Sequence, residues 1–184
     1  MTPTTAPSSS VLDFNPTVGM RLDGAPPDDP ETEPWRVILV FAPNFAGPPV
    51  HIHPHQEESY EVLAGVLDVF VDGRWRELSA GESLTVPRGT PHTIRNLHAE
   101  EVRLVDVHAP ALGFPRFMAS MHELARNGKI RALPPKDPRS VIHLAMLFSA
   151  NERVIVSVKP PQRLMRFLAF VGRRLGYELP GGVR

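Results

Sequence analysis

The sequence predicts a mainly β protein, an antiparallel sandwich or barrel, with a helical C-terminal third. Three observations carry that reading. Between Trp35 and His108, short β-branched or alternating runs follow one another closely, each bounded by turn residues. Two blocks rich in histidine and glycine, Gly47–Gly65 and Gly81–Asn96, lie inside that stretch. Beyond Pro110 the apolar residues change to helical spacing.

Met1 to Ser10 is rich in Thr, Pro and Ser, with neither a basic start nor an apolar core. It reads as a disordered tail and not as a signal peptide. Residues 11–34 carry Pro16, Pro26, Pro27, Pro30 and Pro34, so an irregular lead-in is expected, with one strand near Val18–Leu22. Trp35–Ala42 is a β-branched and aromatic run, and Phe45–His53 is read as the next strand. Glu58–Val71 alternates, is broken by Gly65, and meets Asp72-Gly73, the signal of a hairpin to Arg74–Leu78. Ser83–Val86, His92–Asn96 and Val102–His108 complete the strands.

Phe114, Phe117, Met118, Met121, Leu124 and Ala125 then recur at helical spacing up to the stop at Asn127-Gly128. A linker over 129–137 leads to Asp137-Pro138, an N-cap followed by a first-turn proline. The helix it opens is apolar around most of its girth and should be buried. Val154–Val158 fits a strand or a helix end equally. The last helix opens at Pro160-Pro161 and places Leu164, Phe167, Leu168, Val171 and Leu175 on one stripe beside Arg163, Arg166, Arg173 and Arg174. Such a basic amphipathic helix can lie on an anionic membrane, but packing of the stripe on the same chain or a partner is the preferred reading. The expected organisation is a tail and lead-in over 1–34, a barrel over 35–109 and, over 110–184, a helical extension packing on the barrel or on a partner subunit.

Composition excludes several classes. Lys+Arg and Asp+Glu both number 20, so no overall field attracts nucleic acid. The proline-rich segment before the barrel leaves no room for a DNA-reading helix pair. No apolar run approaches the roughly 20 residues of a membrane span, so no stable membrane insertion is expected. Cysteine is absent, which removes disulfides, zinc–thiolate sites and thiol nucleophiles. A cytoplasmic location fits that composition.

Histidine and carboxylate remain as metal-ligand candidates. His51 and His53, two apart on a strand, share a face. His92 comes from a distant strand, and Glu58 can supply a carboxylate oxygen. Three imidazoles and a carboxylate suit Fe, Mn, Ni, Cu or Zn far better than Mg or Ca. Two alternatives stand beside this set: His55 has the parity of His51 and His53, and Glu57 neighbours Glu58.

The two blocks resemble the cupin pattern. Its second half is met at Gly81, Pro87, Gly89, His92 and Asn96. In the first half His51, His53, Glu58 and Gly65 fit, while Gly47 has three residues before His51 where the pattern has five. The resemblance covers roughly residues 35–109 and implies a double-stranded β-helix, or jelly roll, with a metal inside. Carried across by position, the family's metal ligands fall on His51, His53, Glu58 and His92. Glu58 is preferred to Glu57 because it lies seven residues before Gly65, as the pattern asks, and has the parity of Tyr60. The pair His53/His55 would leave too short a spacing to the carboxylate.

Tyr60, Arg95, Asn96 and His108 are candidate pocket residues. His108 stands out because Asp106 shares its face. His55, His98, His122 and His143 read as ordinary surface or core histidines. The resemblance includes dioxygenases of the quercetinase kind, in which the metal-bound glutamate doubles as a base, a role that would fall to Glu58. The expected function is therefore a metal-dependent, dioxygenase-like oxidoreductase acting on a small organic molecule in the barrel. The alternatives are a non-catalytic small-ligand binding or sensing module and a metal-dependent isomerase. The motif itself offers no catalytic Lys or His–Asp pair for sugar epimerisation. A homodimer is expected, since barrels of this kind often pair.

Overall fold

A computed structural model describes residues 11–182; the predicted Met1–Ser10 tail lies outside the described residues. Two antiparallel sheets face each other. The first has the order β1 (Val11–Asp13), β2 (Met20–Asp23), β3 (Trp35–Phe41), β10 (Val102–Ala109), β5 (Glu57–Ala64) and β8 (Ser83–Val86). The second runs β11 (Val156–Lys159), β4 (Val50–Ile52), β9 (His92–Arg95), β6 (Val66–Val71) and β7 (Arg74–Ser79). From β3 to β11 consecutive strands, apart from the β6–β7 hairpin, alternate between the sheets, which is the double-stranded β-helix the sequence implied.

Period-2 patterning sets what faces inward. In β3 the inward set is Trp35, Val37, Leu39 and Phe41, and in β5 it is Glu58, Tyr60 and Val62. In β10 it is Val102, Leu104, Asp106 and His108. The register pairs Glu58 with His108 and Tyr60 with Asp106, so four polar groups meet at one end of an apolar interior. The Asp72-Gly73 hairpin forms as expected, with φ of 52° and 75°, both in the left-handed region that two-residue hairpins need. Gly65, at φ 78°, ends β5 and lets the chain cross to the other sheet.

The lead-in is more ordered than proline content implied. It adds β1 and β2 to the edge of β3, with Leu22 opposite Leu39, where one strand was expected. The predicted strand Phe45–His53 shortens to β4, with Phe45 reduced to a single bridge to Asn96. The ambiguous Val154–Val158 segment resolves as β11, which pairs with β4. Ladder hydrogen bonds to an existing edge decide what the residue pattern alone left open.

Helices α1 (Phe114–Arg126), α2 (Pro138–Ala150) and α3 (Gln162–Arg174) follow. Asp137 caps α2, accepting hydrogen bonds from Ser140 N at 3.0 Å and Ser140 Oγ at 2.6 Å. α2 is buried from His143 through Phe148, as its apolar girth predicted. α1 turns Phe114, Phe117, Met118 and Met121 onto the barrel mouth. The core is continuous from the β1–β2 hairpin through both sheets to all three helices.

α3 departs from expectation. It packs inward through Met165, Ala169 and Gly172, with Leu168 and Val171 of the predicted stripe half-buried at the margin and Leu164, Phe167 and Leu175 exposed. A Cβ at Gly172 would lie 2.6 Å from Ile142 Cγ2, so only glycine admits this close approach. The small face wins the contact because it lets the two helices come together, and the larger side chains are left outside.

Gln56 ties barrel to extension. Buried beside the start of β5, its Nε2 donates to the carbonyls of Pro110 at 3.0 Å and Ala111 at 2.7 Å. Gln56→Ala leaves both carbonyls without that donor and is expected to cost about 2 kcal/mol, read as a shift in the denaturant midpoint. A change within error would mean that water replaces the amide there.

Candidate metal centre

The structure brings His51, His53, Glu58 and His92 together, all four buried, with one nitrogen or oxygen of each within 4.8 Å of the others. β4 and β9 are paired so that His51 lies directly opposite His92. His53 follows two residues later on the same side, with its ring 5.0 Å from His51 and 5.3 Å from His92. Glu58 reaches across from the facing sheet. Its Oε2 lies 2.6 Å from His92 Nε2 and 3.2 Å from His53 Nε2.

The tautomers follow from the backbone. Each of the three histidines donates its Nδ1 proton to a carbonyl: His51 to Pro49 at 2.8 Å, His53 to Val154 at 2.5 Å and His92 to Thr90 at 2.8 Å. Every Nε2 is thereby left for the centre, the arrangement that orients metal-binding imidazoles. His53 Nε2 is buried, and although close to Glu58 it is not aligned to hydrogen-bond it. An orphaned lone pair beside a carboxylate and two more imidazole nitrogens fits a divalent transition metal.

Charge is arranged around Glu58. Burial alone would raise its pKa, but the His108 and His92 imidazoles outweigh that and hold it well below the usual carboxylate range. Burial depresses His51 strongly, and its neighbours His92 and His53 push the same way, so this imidazole is neutral with its lone pair free. Burial also lowers His53, against the opposing pull of Glu58. His92 goes the other way: burial disfavours its cation, but the Glu58 carboxylate more than compensates and lifts its pKa. In the metal-free protein the 2.6 Å contact therefore holds a proton that a metal must displace. Metal uptake at mildly acidic pH should release about one proton per ion, and affinity should weaken as pH falls through the raised His92 value. Calorimetry in buffers of different ionisation enthalpy measures this. Heats independent of buffer would contradict the protonated His92.

His108 and Asp106 sit beside this group in a different arrangement. His108 Nε2 faces Asp106 Oδ2 at 3.2 Å and Glu58 Oε1 at 3.5 Å, while its Nδ1 has no partner. Its proton-bearing nitrogen is thus turned to the two carboxylates, opposite in sense to the other three rings. Burial opposes its cation, but Asp106 and then Glu58 raise its pKa. Burial raises Asp106.

His51, Glu58, Tyr60, Asp106 and His108 open onto an internal cavity of about 70 Å³. The remaining walls are apolar. Met20, Leu39, Phe41 and Ile94 come from the barrel, and Phe114, Phe117, Met121, Leu144 and Phe148 from the helices. No Lys or Arg lines it. Burial, then Glu58 and Asp106, push the Tyr60 hydroxyl well above its usual pKa, so it is a neutral donor.

Two expected pocket residues lie elsewhere. Arg95 has the opposite parity to His92 and Ile94, so it turns outward, pairing with Asp68 at 3.3 Å and lying 3.6 Å over the Trp75 ring. Asn96 is buried but structural: its Nδ2 donates to the carbonyls of Phe41, Ala42 and Glu100, and its Oδ1 accepts from His98 N. Glu57 and His55, the alternatives to the preferred set, are both exposed. Of the other histidines, His122 bonds the Asp13 carbonyl at 3.1 Å and His143 the Arg139 carbonyl at 2.9 Å. Sequence reading did not place the helical residues at the cavity. The sequence implied that the helical third caps or flanks the barrel, but its spacing did not say which helical side chains would line the cavity.

Two inward-facing sheets closed over a buried His/Glu group define a cupin-type fold with a site able to hold a metal. Residues 37–108 match the cupin domain family Cupin_2, and this segment is a cupin domain. The chain is similar to polyketide synthase CurC of Streptomyces cyaneus, at 40% identity over 55 residues, covering 30% of this chain and 36% of that protein. It is similar to quercetin 2,3-dioxygenase of Bacillus subtilis (strain 168), at 31% over 71 residues, covering 39% of this chain and 21% of the enzyme. The chain thus spans well under half of either relative. Among solved structures, an RmlC-like cupin from Shewanella frigidimarina is 24% identical with a TM-score of 0.48, covering 59% of this chain and 90% of that one. KdgF from a Halomonas species is 23% identical with a TM-score of 0.47, covering 55% and 86%. No helix among the described residues is long and apolar enough to cross a membrane.

Proposed function

We propose that this protein is a metal-dependent oxidoreductase of the dioxygenase kind, acting on a small, uncharged, largely apolar molecule. The observation that carries the reading is the contact of His51 and Glu58 with a cavity whose other walls are almost wholly apolar and carry no cationic side chain. The likeness to a quercetin 2,3-dioxygenase supports the oxygen-dependent chemistry. His51, His53, Glu58 and His92 would hold Fe, Mn, Ni, Cu or Zn, which supplies Lewis acidity and, for the redox-active ions, electron transfer to O₂.

The chain's own residues do the rest. The apolar walls strip water from the ligand and favour ring or chain hydrocarbon over sugars, whose many hydroxyls would outnumber the few polar side chains at one end, and over carboxylates, which would meet no cationic Lys or Arg. Tyr60 offers a neutral hydroxyl to orient a ligand oxygen. Glu58 is the carboxylate placed to accept a proton from the ligand, and its lowered pKa restricts that role to a ligand O–H that is already acidic. His108, held by Asp106, steadies the other carboxylate oxygen and keeps it facing the cavity.

The test is O₂ consumption by the metal-loaded protein across a panel of phenolic and diketone compounds. Turnover with an uncharged member, lost in Glu58→Gln, supports the proposal. Tight binding without turnover in any metal form would make the protein a ligand-binding module instead. The isomerase reading gains one specific observation, the buried His108–Asp106 pair. Deuterium exchange into a ligand without O₂ uptake would favour it.

A further inference from the structure

We propose that the outer face of α3 docks on an anionic lipid surface. Among the described residues, three of the exposed large apolar side chains lie on α3, Leu164 (43%), Phe167 (60%) and Phe170 (50%), and a fourth, Leu175 (64%), is its C-cap. Together they present an apolar area on the order of 400 Å², at the size where patches on soluble proteins mark interaction sites. At about 100° per residue, Phe170, Arg163, Arg174, Phe167, the half-buried Val171 and Leu164 follow one another around the side of the helix opposite Met165, Ala169 and Gly172. Arginine and phenylalanine are therefore interleaved on one arc. The Arg174 guanidinium lies 5.3 Å over the Phe170 ring.

The charge selects the occupant. Between Gln162 and Leu175 there are four arginines and no Asp or Glu, and among these arginines only Arg166 forms an ion pair, with Glu152. A two-fold pairing of this face with a second copy would set Arg163 and Arg174 against their own equivalents with no acid to separate them. A protein partner of ordinary stability needs about 800 Å² on each side, roughly twice this patch. A bilayer surface needs only that phenylalanines reach the acyl boundary while long arginine stems leave their heads among anionic phosphates.

The docked face would adjoin the barrel's interior. Leu164 also borders a groove of about 270 Å³ between α2, α3 and the β4 side, and Pro49 and Leu144 line both that groove and the internal cavity. An apolar compound dissolved in the lipid would there meet side chains that also wall the cavity.

Sedimentation of the full chain with vesicles tests the proposal. Phosphatidylcholine vesicles containing roughly a third phosphatidylglycerol should bind at least about tenfold more protein than phosphatidylcholine alone, and high salt should remove most of the excess. Phe167→Ser/Phe170→Ser should abolish binding. Arg163→Glu/Arg174→Glu should erase the preference for anionic lipid. Both variants alter exposed side chains, so metal content and thermal midpoint should match the parent. Equal binding to both vesicle types, no binding to either, or variants that bind like the parent would overturn the proposal. So would a dimer of the parent that Phe167→Ser/Phe170→Ser converts to monomer, because the face would then be a self-interface.

Discussion

Replacing His51 or His92 with alanine is expected to reduce bound metal from about one ion per chain to less than a tenth of that after dialysis. The two residues face each other across the β4–β9 ladder, and each has its Nδ1 committed to a backbone carbonyl. No nearby side chain can take over either position. His108, the nearest spare imidazole, has its Nε2 turned to Asp106 and Glu58. Loss of a partner that merely orients a metal ligand already costs roughly 10–100-fold in affinity, and loss of the ligand itself should cost more. Elemental analysis reads the outcome, with circular dichroism to show that the barrel remains folded. Unchanged metal in both variants would sink the four-residue assignment.

Gly47→Ala is expected to be among the most damaging single changes to stability. Gly47 has φ 85°, and a Cβ there would lie 1.9 Å from the Ile94 carbonyl oxygen. The left-handed conformation alone costs an L-residue about 1–2 kcal/mol. The backbone clash must then be relieved by moving a strand, so the total should be on the order of 3–5 kcal/mol, a fall of roughly 10 °C in thermal midpoint. The shift would spread to the site, because Thr93 Oγ1 donates to the Pro48 carbonyl and His51 Nδ1 to the Pro49 carbonyl. Gly89→Ala is the internal comparison. It shares the positive φ, at 76°, but opens into free space and should cost only about 1 kcal/mol. Equal losses at the two glycines would refute the close-approach argument.

That contrast shows how far the sequence could be read. Both glycines belong to the same spaced pattern, and the pattern located the site without saying what each glycine does. Gly47, the one position where the spacing departs from the family, is where a side chain would collide with the β9 backbone. Parity was equally informative. It separated Glu58 from Glu57 correctly as to burial, and it brought His108 and Asp106 to one face. Applied to β9, the same rule turns Arg95 away from His92, which the pocket reading overlooked.

What the sequence could not supply was the assembly of distant elements. The Val154–Val158 run carries no decisive period, and it becomes a strand because β4 offers an open edge. The Val154 carbonyl then fixes the His53 tautomer across 101 residues of chain. α3 shows the same limit in reverse. Its apolar stripe announces an amphipathic helix, but the contact with α2 goes to Met165, Ala169 and Gly172, because close packing rewards the face that permits approach.

By itself the sequence determined the β-sandwich, the helical third, the candidate metal group and the absence of thiol chemistry, since each follows from local spacing or composition. The tertiary structure alone decided the rest. It orients three imidazoles through backbone carbonyls, roofs the barrel with α1 and α2, and leaves the arginine-flanked stripe of α3 uncovered. These depend on which surfaces fit together in space, and no period within a single segment encodes that.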